Sequence, residues 1–91
     1  MDDVLAAGAL VERLLAAGRE LGPGDGARIA LRTWREASRT EASLVAAMRC
    51  SRGGRNLGAI GLGTDVEVCS RVAAFPVVPE FDASSGVIRR V

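Results

Sequence analysis

Asp2-Asp3-Val4-Leu5-Ala6-Ala7-Gly8-Ala9-Leu10 opens the chain, and Val11 to Ala17 carries the same pattern on. Val4, Ala7, Val11, Leu14 and Leu15 recur at helical spacing, while Glu12 and Arg13 sit off that stripe, so residues 3–17 are expected to form an amphipathic helix. The two acids at its start complement the helix macrodipole, and Gly18 suits the C-terminal cap. Gly8 inside the helix costs about 1 kcal/mol relative to Ala. Close packing against a second backbone would account for it.

Outward from this helix, Gly22-Pro23-Gly24 punctuates a loop, and Asp25 is placed to cap a second helix from Gly26 to about Ala37. Its apolar face is Ala27, Ala30, Leu31 and Trp34; Arg28, Arg32, Arg35 and Glu36 lie opposite. Ser38 and Glu41 read as a capping box for a third helix that ends near Cys50, with Leu44, Val45 and Met48 inward. Ser51-Arg52-Gly53-Gly54-Arg55 reads as a glycine turn, and Asn56 to Gly61 as one or two helical turns. Thr64 and Glu67 read as another capping box, opening a helix with Val66, Cys69 and Val72 inward. The tail then changes character. Phe75 to Phe81 is rich in Val and aromatic residues, but Pro76 and Pro79 confine it to an edge strand or extended arm. Asp82 to Gly86 is a turn, and Val87 to Val91 pairs back as a hairpin. A lone hairpin is marginal in water, so these strands call for a sheet supplied from elsewhere.

With 91 residues the chain has room for one small domain. Twelve basic residues, all Arg, against eleven acids leave a net charge of +1, which is no footprint for nucleic acid or an anionic membrane. The absence of Lys, beside abundant Ala and Gly, looks like a coding bias and weakens any single Arg as a sign of phosphate recognition. There is no His, which removes His-based acid–base chemistry, Ser-His-Asp triads and His-liganded zinc from this chain. Cys50 and Cys69 show no metal or redox spacing and read as semi-buried thiols in a reducing cytosol. The N-terminus starts with acids where a signal peptide would be basic, and no apolar run is long enough to span a bilayer.

Three features could carry chemistry. Asp2-Asp3 could hold Mg2+ through carboxylate oxygens, although acids at a helix start need no metal to explain them. Arg49, Arg52 and Arg55 surround Ser51, Gly53 and Gly54. Glycines let backbone N–H groups approach an anion, and Arg offers a bidentate fork for phosphate or sulfonate. The plainer reading is a helix stop with solvated arginines. It is not a phosphate-binding loop of the Gly-Lys-Ser/Thr kind, because that ending is missing. The stripe Arg28, Arg32, Arg35, Arg39 reads as a solvated face, with Arg32 pairing Glu36. No nucleophile–base pair can be specified, so the catalytic residues stay unknown.

Four stretches, in order, resemble the C-terminal portion of the 2-phosphosulfolactate phosphatase (ComB-like) family. They are Asp2 to Leu10; Ser51-Arg52-Gly53-Gly54-Arg55-Asn56-Leu57; Leu62-Gly63-Thr64-Asp65-Val66-Glu67-Val68-Cys69; and Val77-Val78-Pro79 with the Gly86-Val87-Ile88 ending. The resemblance implies the α/β class: residues 1–91 as the helix-rich C-terminal part of an α/β phosphatase domain, about four helices followed by a short β-hairpin. It implies Mg2+-dependent hydrolysis of 2-phosphosulfolactate to sulfolactate and phosphate, a step toward coenzyme M, in the cytoplasm. Members are more than twice as long, so an N-terminal portion or an oligomeric partner is expected to complete the site. Gly53 stands where many relatives carry His. For that chemistry this chain offers Asp3 toward the metal, and Ser51, Arg52, Gly54 and Arg55 toward an anionic small-molecule phosphate ester. The competing expectation is a non-catalytic helical interaction module, or a remnant of the family.

Overall fold

The computed structural model describes residues 1–91. Five helices precede a hairpin: α1 (Asp2–Ala16), α2 (Gly26–Ala37), α3 (Glu41–Cys50), α4 (Arg52–Ala59), α5 (Thr64–Cys69), β1 (Pro79–Asp82) and β2 (Val87–Arg90). This is the helix-rich body with a C-terminal hairpin that the sequence implies, with one more helix than expected.

The helices α1 and α2 pack as a pair. The buried residues of α1 are Leu5 and Gly8, facing Ala30 and Leu31 of α2. A β-carbon on Gly8 would lie 2.1 Å from the Ala30 carbonyl oxygen, so the two backbones touch there, as the interior glycine led one to expect. The contact side of α1 therefore runs through Leu5, Gly8, Glu12 and Leu15, the first two buried and the last two half-buried, and Val4, Ala7 and Leu14 are exposed. This corrects the expected stripe. Ala, Val and Leu occur nearly all round α1, so periodicity could not choose a face; the Gly8–Ala30 approach does. Glu12 lies on the contact side. Its carboxylate accepts from Trp34 Nε1 at 2.7 Å and from Arg35 Nε at 3.3 Å.

The loop after α1 is set by Gly18, at φ 87°. Arg19 N–H donates to the Leu14 carbonyl and Gly18 N–H to that of Leu15, the paired closure that a left-handed residue permits. Gly61 (φ 81°) ends α4 in the same way, with Leu62 N–H on the Leu57 carbonyl. The caps depart from expectation in detail. The capping box of α3 is Thr40 with Ser43, not Ser38 with Glu41: Ser43 Oγ accepts from Thr40 N–H and donates to the Ala37 carbonyl, tying α2 to α3. Asp25 precedes α2 without a capping bond, and Thr64 lies inside α5 rather than capping it. In α5 only Val66 is buried; Cys69 and Val72 are exposed, because the helix is six residues long and ends before Val72. Cys50 is exposed as well. Glu36 pairs with Arg39 at 2.8 Å rather than with Arg32.

At the C-terminus β1 and β2 pair antiparallel with Phe81 opposite Ile88 and Glu80 opposite Arg89. Asp82 shapes the turn: its carboxylate accepts from Ser84 N–H, Ser84 Oγ and Ser85 Oγ, and those bonds hold its pKa below the ordinary value. Phe75, Val78, Phe81, Ile88 and Val91 are all more than 60% exposed, so the two-stranded sheet has neither a covered face nor a third strand. Only seven of 91 residues are buried, too few for the molecule to hide its apolar surface by itself. No helix is long and apolar enough to cross a membrane.

Candidate functional site

The segment expected to be a glycine turn is a helix start. Ser51 is the residue on which the chain changes direction. Its backbone is extended (φ −64°, ψ 160°), it ends α3, and it is the N-cap of α4. Its side chain is buried and fully occupied: Oγ accepts from Gly54 N–H at 3.0 Å and donates to the Met48 carbonyl at 2.6 Å. A hydroxyl held on both sides has little freedom to act as a nucleophile. Gly54 answers to packing. A β-carbon there would lie 2.0 Å from the Met48 carbonyl oxygen and 2.9 Å from Arg49 Cα, so α3 and α4 can join at this angle only if residue 54 has no side chain. Its φ is not positive, so conformational freedom is not what it provides.

The arginines divide. Arg55 Nη1 donates to the Cys50 carbonyl at 2.6 Å and so closes the end of α3. Arg49 pairs with Glu67 and links α3 to α5. Arg52 makes no ion pair or side-chain hydrogen bond. The N–H groups of Arg52 and Gly53, in the first turn of α4, find no acceptor, whereas that of Gly54 reaches Ser51 Oγ and that of Arg55 the Ser51 carbonyl. Two backbone donors and one guanidinium are thus uncommitted at the positive end of a helix dipole.

The start of α1 meets the start of α4. Asp2 Oδ2 lies 3.0 Å from where a Gly53 β-carbon would be, so this carboxylate sits directly over the glycine. The sequence offered the pair Asp2-Asp3 and favoured Asp3; it is Asp2 that touches the α4 segment, while Asp3 is exposed and has no ion-pair partner. Two features some fifty residues apart in the chain are therefore neighbours. The signal that could have joined them is weak: a glycine following an N-cap serine can admit a foreign carboxylate, but nothing in the sequence names which one.

A second concavity, an open trough of about 1190 Å³, runs between the α1–α2 pair and α3–α5. Trp34, Leu44 and Val45 line it, and Glu41 and Arg71 stand on its wall without ion-pair partners, beside Glu12, Arg49 and Glu67, whose carboxylates and guanidinium bond within the protein. Glu12 is held by Trp34 and Arg35, and Arg49 by Glu67. The Trp34 bond, then Arg35, hold the Glu12 carboxyl below its usual range. Of the α2 arginines, Arg28 donates to the Gly22 carbonyl and Arg35 pairs with Glu12, while Arg32 has no side-chain partner; Arg39, just past the end of α2, pairs with Glu36.

The family model described as 2-phosphosulpholactate phosphatase matches residues 1–84, nearly the whole chain and every helix of it. The chain belongs to the 2-phosphosulpholactate phosphatase family. The match takes in the α1 start and the α4 start, the two places where resemblance and geometry coincide. No solved structure matches the chain. Within this family member no three acidic or sulfur ligands cluster as a metal site would require if the protein supplied most of the ligands.

Proposed function

We propose that this chain serves a Mg2+-dependent phosphatase that hydrolyses 2-phosphosulfolactate, and that the start of α4 holds one of the substrate's anionic groups. The activity rests on family membership. The observation that supports the site is the pair of uncommitted N–H groups of Arg52 and Gly53, beside the free Arg52 guanidinium, at a helix N-terminus. Ser51 and Gly54 act by shape, one capping the helix and the other admitting α3. Arg55 steadies the Cys50 carbonyl and has donors left for a second contact.

Mg2+ commonly binds through one or two protein carboxylates plus substrate phosphate oxygens and water. Asp2 fits that modest demand, because its carboxylate already stands at the α4 start. In this reading Asp2 takes the role the sequence offered to Asp3. When bound, the ion would neutralise phosphate oxygens during phosphoryl transfer. This chain's own contribution is to bind and orient: backbone donors from α4, a fork from Arg52, a carboxylate from α1. His-based general acid–base catalysis is not available within residues 1–91, and the chain has no nucleophile paired with a base. The 91-residue chain alone is therefore expected to show little turnover. The exposed free thiols accord with a reducing cytoplasm, and the near-neutral charge with a small-molecule substrate rather than nucleic acid.

The test is an amide chemical-shift titration of the chain with inorganic phosphate, with and without Mg2+. The largest shifts are expected at Arg52 and Gly53, and Arg52→Ala should weaken binding by about tenfold, the worth of one charge-assisted bond of roughly 1.5 kcal/mol. Uniform small shifts, or an affinity unchanged by Arg52→Ala, would refute the site and leave the non-catalytic module as the better account.

A further inference from the structure

The outward side of α1 carries a second stripe, distinct from the one packed on α2. Asp3, Ala7, Leu10, Leu14 and Ala17 follow one another at spacings of four, three, four and three, the seven-residue repeat of a helix seam. All five are exposed, Leu10 at 66% and Leu14 at 53%. Ala6 and Arg13 flank the seam. Asp3 stands at the N-terminal end of the seam and Arg13 beside its C-terminal half, and neither has an ion-pair partner in the chain.

We propose that this face is a homodimer interface in which α1 packs antiparallel on α1 of a second copy. Charge selects that occupant and that direction. An antiparallel pair brings the Asp3 end of each helix to the Arg13 end of the other and opposes the macrodipoles; a parallel pair would set acid against acid and base against base. Side-chain size agrees. With the two-fold axis beside Leu10, each Leu14 falls over the small Ala6 and Ala7 of the partner subunit, so large meets small on both sides of the axis. Asp3 is then offset from the partner's Arg13 by four residues of helical rise, about 6 Å, within the span of an arginine side chain. A two-fold interface of this kind is self-complementary and closes at two copies. It leaves Asp2 and the α4 start free.

Sedimentation of the full 91-residue chain across a concentration series tests the proposal. The expected mass is twice the 9.5 kDa of one chain. Leu10→Glu should return it to one chain with helical circular dichroism intact, since Leu10 supports nothing within the monomer. Asp3→Arg and Arg13→Asp should each weaken the dimer by severalfold, and the two together should restore it. A chain that is monomeric at every concentration overturns the proposal. So does a dimer that survives Leu10→Glu but is lost on Phe81→Glu, which would make the hairpin the contact. Failure of the double charge exchange to restore association overturns the antiparallel arrangement.

Discussion

Gly53 and Gly54 are adjacent in sequence and in the same helical turn, yet their replacement by Ala should have opposite effects. At position 54 the new β-carbon would lie 2.0 Å from the Met48 carbonyl oxygen and 2.9 Å from both Arg49 Cα and the Arg49 carbonyl oxygen. These are backbone atoms of α3, so no rotamer change relieves the contact; α3 and α4 must separate and the Ser51 cap must stretch. Overpacking of this kind costs about 3 kcal/mol at the upper end of its usual range. The better helix propensity of Ala returns about 1 kcal/mol, leaving a net loss of about 2 kcal/mol. At position 53 the only close atom is Asp2 Oδ2 at 3.0 Å, the far end of a side chain that can rotate away. Gly53→Ala should therefore gain about 1 kcal/mol from propensity. The two variants should differ by about 3 kcal/mol, or roughly 12–24 °C in Tm for a chain of this size. Thermal unfolding followed by far-ultraviolet circular dichroism measures both. Equal shifts, or a Gly54→Ala chain as stable as the parent, would refute the claim that the α3–α4 junction is set by backbone contact at residue 54.

Trp34→Phe should change the pH dependence of stability. The Trp34 bond is the largest cause of the depressed Glu12 pKa. A depressed folded pKa gives stability that is present above the unfolded carboxylate value and lost as pH falls through the folded one, so the parent should weaken on acidification and the variant should show a shallower acid limb; identical limbs in urea titrations would count against the Glu12–Trp34 contact. Asp82→Asn should loosen the hairpin turn by weakening the acceptor used by Ser84 and Ser85. Faster amide exchange at Ser84 and Gly86, with α1 and α2 unchanged, is the expected sign.

How far the sequence could be read depended on where the deciding contact lay. Helix positions were legible because apolar spacing and glycine stops are local: Gly18 marks the end of α1, and the Asp82–Gly86 turn separates two strands whose register follows from its length. The start of α4 was hidden, although Asn56 to Gly61 read as helical turns, because Ser51 to Arg55 carries two glycines, which argue against helix by propensity. Ser51 as N-cap and the close α3 backbone outweigh that cost. The cap of α3 was misplaced for a related reason. Ser38, Thr40, Glu41 and Ser43 allow two overlapping boxes, and the choice fell to Ser43 because its hydroxyl also reaches the Ala37 carbonyl.

By itself the amino-acid sequence determined the class of the protein: helices followed by a hairpin, no histidine chemistry, no net basic charge, and a family pattern carried in four ordered stretches. Those properties depend on residue type and short spacing, which the chain displays directly. The tertiary structure alone decided which side of α1 is buried, that Glu12 is a contact residue, that Arg55 is engaged while Arg52 is free, and that Asp2 rather than Asp3 stands over Gly53. Each of these turns on two backbones approaching from distant parts of the chain. Where α1 is apolar on most sides, a backbone approach that leaves no room for a β-carbon at residue 8 chooses the face, and no periodicity within one segment carries that information.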